Sequence, residues 1–93
     1  MLPERERTAI EEAIEIAHNS VCCAMTTVDA KGRPRSRIVH PVWEFDSDGL
    51  TGWVTTRRTP VKVAHLAGNP YVSCAYIAAN TDFAYFDCTA EWI

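Results

Sequence analysis

The chain has 93 residues, 47% apolar and 23% charged, with a formal net charge of -3 and a pI near 5.5. That length allows one small domain burying only about 60 to 65% of the surface its unfolded chain exposes. The composition excludes disorder, and the acidic balance excludes a general nucleic-acid binder, which needs an excess of Lys and Arg to neutralise phosphates. No apolar run nears the roughly 18 residues of a membrane-spanning helix. The charged start MLPERERTAIEE lacks the basic-then-apolar order of a signal peptide, so a cytoplasmic location is expected.

The first predicted element is an amphipathic helix within residues 1–19. In ERERTAIEEAIEIAHNS, Ala9, Ile10, Ala13, Ile14 and Ala17 recur at helical spacing behind Pro3. Glu4, Glu6, Glu11, Glu12 and Glu15 form its solvated face. Three β-type runs follow, SVCCAMTTVD, RSRIVHPVWEF and LTGWVTT, separated by the turns DAKGRP and DSDG. They predict an antiparallel meander of hairpins. In the middle run Arg35, Arg37, Val39, Pro41 and Trp43 share one face, and Ser36, Ile38, His40, Val42 and Glu44 the other. Pro41 has no N–H for a ladder and is expected at an edge or a bulge.

The stretch VTTRRTPVKVAHLAGNP concentrates the candidate chemistry. Thr59 before Pro60 is a helix start and Gly68-Asn69-Pro70 a stop, which predicts a short helix over 60–67. The N–H groups of its start, the cations Arg57, Arg58 and Lys62, and the hydroxyls of Thr55, Thr56 and Thr59 suit a phosphate monoester. Neither G-x-G-x-x-G nor G-x-x-x-x-G-K-[ST] occurs, so the pattern is neither a dinucleotide fingerprint nor a P-loop. The same stretch also reads as a solvated basic loop with a capping threonine. A second basic cluster, Arg33, Arg35 and Arg37, favours the phosphate if a hairpin brings the middle run beside the strand leading into this helix.

Two further strands, YVSCAYIA and FAYFDCTAEWI, are joined by ANTD. The strand count and Gly-containing turns predict a mainly β domain whose twisted sheet curls into a barrel. The last run stops at AEWI in mid-strand by its pattern, so C-terminal strands that would complete the barrel are expected to be missing. Cys22, Cys23, Cys74 and Cys88 show neither C-x-x-C nor Cys/His ligand spacing, so buried thiols are expected and no metal site is. His40 is a candidate general acid/base or haem ligand, but a lone His without a visible partner reads as structural.

TTVDAKGRPRSRIVHPVWEF, GLTGWVTTRRTPVKVAHLAGNP and YFDCTAEWI together resemble the pyridoxamine 5'-phosphate oxidase-like family, the FMN-binding split β-barrels, from about Ser20 onward. The resemblance implies a split, Greek-key-like antiparallel barrel in a single domain over residues 1–93. It implies that Arg37 reaches a flavin phosphate, that Thr56 is the hydroxyl residue at the strand end and that Lys62 binds the phosphate. Pro60 stands where the family usually carries a serine, with Thr59 supplying a hydroxyl instead. Val61 and Val42 replace basic residues, so the pattern is closer to the broader relatives than to the oxidase itself. Those relatives use FMN or the deazaflavin F420, and some bind haem. The resemblance implies an oxidoreductase acting on a small molecule, and a homodimer with its cofactor at the subunit interface. The alternative is a non-catalytic flavin- or haem-binding carrier module or a dimerisation fragment. No residue reads as a proton donor, so no catalytic residue is assigned.

Overall fold

The structure, a computed structural model, describes residues 3–55 and 66–92. The amphipathic pattern forms α1 (Glu4–Ser20), with Glu4 and Glu6 in the first turn, where the unpaired N–H groups of a helix start favour acids. Its apolar stripe buries Ala17, with Ala13, Ile14 and Ile16 packed against the core. The helix ends in a tight reversal in which Val21 stands at φ 70°, with the Cys22 N–H bonded to the Ser20 carbonyl. That i to i+2 bond closes a γ-turn, a strained conformation for a β-branched residue, and sends the chain directly into the first strand.

Six strands follow among the described residues: β1 (Cys23–Val28), β2 (Pro34–Val39), β3 (Val42–Asp46), β4 (Gly49–Trp53), β5 (Tyr71–Ile77) and β6 (Phe83–Thr89). All pairings are antiparallel, in a four-stranded sheet of order β2-β1-β5-β6 and a separate two-stranded sheet of β3 and β4. The run RSRIVHPVWEF, expected as one strand, is two. It breaks at His40 and Pro41, because a residue without an N–H cannot continue the ladder, and the chain uses the break to change sheets. The alternation survives: Arg37 and Val39 are half-buried, Pro41 and Trp43 buried, and Ile38, His40 and Val42 exposed.

This break corrects the expected meander. Among the described residues β2 pairs with β1 alone, while β4 pairs with β3, so the strand carrying Arg37 does not lie beside the one leading to Thr55. Among the described residues no ladder joins the hairpin to the larger sheet and the barrel is not closed. The described residues thus form a mainly antiparallel β fold, split into two sheets with one long helix. Of the helix expected over 60–67 only the end is described, and it is helical through Gly68.

The inner face of the larger sheet holds the core. Cys23, Cys74, Tyr76, Ala84 and Phe86 are buried there against α1, joined by Trp43 from the hairpin. Trp43 ties the pieces together. Its Nε1 donates to Tyr76 Oη at 2.8 Å, its ring lies 4.2 Å from that of Phe86, and its backbone N–H donates to His18 Nε2 at 3.1 Å. Across the hairpin stands Gly52, where a Cβ would come within 2.6 Å of the indole, so the ring lies over a position only glycine leaves open.

Candidate functional site

The site is built from the turn that joins β1 to β2. Asp29 is buried at the end of β1, and its carboxylate accepts the backbone N–H groups of Lys31 and Arg33, both at 2.9 Å. The turn closes on Gly32 at φ 77°, a left-handed conformation that glycine adopts without steric cost. The same carboxylate pairs with Arg33 Nε at 2.9 Å and Arg35 Nε at 3.3 Å. The Arg33 backbone N–H first, then its guanidinium and the Lys31 N–H, hold the Asp29 carboxyl down at about 2. Two of the three arginines in the expected basic cluster are therefore committed to the turn.

Arg37 is the third, and its surroundings differ. It stands opposite Met25 on the inner face of the sheet, half-buried, and its Nη2 donates to Thr27 Oγ1 at 3.0 Å. Thr27 is 1% exposed, so its hydroxyl is fixed from below by the core. Among the described residues no carboxylate lies within ion-pair distance of Arg37, because the acid of this region is already saturated. A guanidinium carries five donors, and this one is braced by a neutral hydroxyl rather than neutralised by a carboxylate. That arrangement is complementary to an anion.

Of the other expected phosphate ligands, Thr55 lies exposed just beyond β4. Thr56, Arg57, Arg58, Thr59 and Lys62 lie outside the described residues. Two clefts border α1 instead: one of about 470 Å³ lined by Glu12, Glu15, Asn80 and Asp82, and one of about 310 Å³ between Ile10, Leu50 and Phe86. Neither includes Arg37, and the carboxylates of the larger one repel a phosphate.

His40 is exposed in the link between the sheets. Among the described residues no group of three or more His, Cys, Asp or Glu has the geometry to hold a metal ion. Burial pushes the thiols of Cys23, Cys74 and Cys88 up, Cys74 to about 12, which leaves them inert packing groups. Sequence reasoning missed Thr27, Asp29 and His18. The spacing D-A-K-G-R carried a signal for Asp29, an acid that caps its own turn two and four residues on.

Comparison with known proteins gives one finding. Residues 9–93 match the family model described as pyridoxamine 5'-phosphate oxidase. No curated protein and no solved structure matches the chain.

Proposed function

The chain belongs to the pyridoxamine 5'-phosphate oxidase family, whose members are commonly flavin-binding oxidoreductases, and from that premise we propose that it anchors FMN by its phosphate for the oxidation or reduction of a small molecule. The observation that carries the reading is Arg37, a half-buried guanidinium held by the Thr27 hydroxyl with no carboxylate paired to it among the described residues. A phosphate monoester supplies the missing charge and accepts several N–H bonds at once.

When bound, the isoalloxazine ring supplies the electron chemistry. The residues of the chain supply the anchor. Arg37 contributes a rigid fork, Thr55 a hydroxyl, and Thr56, Arg57, Arg58, Thr59 and Lys62 the remaining donors from the segment between β4 and β5. Deazaflavin F420 presents the same ribityl phosphate arm and is the alternative cofactor. A homodimer belongs to the same proposal.

Titration of the purified chain with FMN, followed by flavin fluorescence, tests it. Arg37→Ala removes a charge-assisted bond worth about 1.5 to 3 kcal/mol, so FMN affinity should fall by roughly 10- to 150-fold. Inorganic phosphate should compete with FMN on the parent and lose that effect on the variant. An affinity unchanged by Arg37→Ala would sink the assignment.

A further inference from the structure

The hairpin carries a second tryptophan that the core does not use. Trp53 ends β4 and is 48% exposed, and the ladder sets it opposite Val42, itself 50% exposed. Val42, Glu44 and Asp46 of β3 share one face with Thr51 and Trp53 of β4, the reverse of the face on which Trp43 closes over Gly52. The indole of Trp53 is tied at one edge. Its Nε1 donates to Glu44 Oε2 at 3.3 Å, a diagonal contact across the ladder that draws the ring toward the β3–β4 turn. About half of its surface stays open for contact.

The chain beyond Trp53 points to the occupant. The alternation of β4 continues past its end, with Trp53 exposed, Val54 half-buried and Thr55 exposed, so Trp53 and Thr55 lie on one side of the chain. Thr55 is the first of the hydroxyls assigned to the phosphate. Two residues of extended chain span about 6 to 7 Å, the order of length of the ribityl arm between a flavin's phosphate and its ring. Charge sets the direction of the arm. Glu44 and Asp46 lie on the turn side of Trp53 and repel a phosphate, whereas Thr55 leads in sequence to Arg57, Arg58 and Lys62. A ligand with one anionic end and one uncharged planar end therefore places its phosphate past Thr55 and its ring back over Trp53.

We propose that Trp53 is the ring contact of this site: its indole stacks on the isoalloxazine while Glu44 holds the indole by its edge. The contact rests on the flavin reading and extends it from the phosphate to the ring. Offset stacking of aromatic planes stabilises beyond the area it buries, and an indole presents an electron-rich face to an electron-poor ring. Val42 opposite keeps the neighbouring surface apolar, which helps to exclude water from the stack. Trp53 has no proton to exchange near neutral pH, so it binds and orients the ring and leaves the electron chemistry to the flavin.

The test titrates FMN, and riboflavin as the same ring without the phosphate, into the full chain and its Trp53→Leu, Trp53→Phe and Arg37→Ala variants. The dissociation constant and the emission of the saturated flavin are both read, with far-UV circular dichroism as the check on folding. A stacked indole quenches flavin emission. The parent should therefore hold FMN in a dim form, and Trp53→Leu should bind it roughly 2- to 10-fold more weakly and leave it brighter. Trp53→Phe should recover most of the affinity with less quenching. Arg37→Ala should weaken FMN without brightening the fraction that binds. With riboflavin the Trp53 effect should persist and the Arg37 effect vanish. FMN bound with affinity and emission both indifferent to Trp53→Leu would overturn the ring contact and leave the flavin reading intact. A parent that binds neither flavin overturns both.

Discussion

Arg33, Arg35 and Arg37 alternate along one short segment, yet the carboxylate of Asp29 takes only the first two. Its depressed pKa makes that clamp sensitive to acid. A carboxyl at about 2 in the folded chain, against an ordinary value of about 3.9 when unfolded, stabilises the fold fully above roughly pH 4. The contribution is lost as pH falls from there through about 2. Thermal melts between pH 6 and 2 should show this loss in the parent and a flatter profile in Asp29→Asn, and identical profiles would contradict the clamp. Thr27 acts one step closer to the ligand. Thr27→Val keeps the buried shape but withdraws the oxygen that orients Arg37, so FMN binding should weaken several-fold, by about 0.5 to 1.5 kcal/mol. Thr27→Ser should restore it, whereas an effect of packing alone would leave Ser no better than Val.

At the scale of elements, the hairpin of β3 and β4 is secured by Trp43 and by the absence of a side chain opposite it. Gly52→Ala would drive a methyl into an indole already held by Tyr76 and Phe86, on a residue whose backbone N–H is bonded to His18. Overpacking of this kind costs about 1 to 3 kcal/mol, read as a lowered denaturant midpoint, and a midpoint within error of the parent would show that the ring moves freely. The sequence made α1 legible through its 3.6-residue period and the turns through DAKGRP, DSDG and ANTD. It concealed the split in RSRIVHPVWEF because the two-residue alternation runs unbroken through His40 and Pro41, and alternation reports a face, not a ladder partner. Arg37 was readable from its place in the motif. Its isolation was not, since that depends on Asp29 reaching Arg35 across a turn and on the register that brings Thr27 beneath the guanidinium.

For the whole molecule, a radius of gyration of 14.0 Å exceeds the roughly 12 Å of a compact chain this long. The excess fits two sheets that no ladder joins among the described residues. The sheet order also has a consequence in time. β1 lies between β2, its neighbour in sequence, and β5, which begins only at Tyr71. During synthesis the β1–β2 hairpin can close early, but one edge of β1 keeps its backbone groups unpaired until the later strand arrives. Closing that long interval is the slow, entropically costly step. A ribosome that pauses between Pro41 and Tyr71 therefore prolongs the interval in which the nascent chain offers Ala24, Met25 and Thr26 to any other strand within reach.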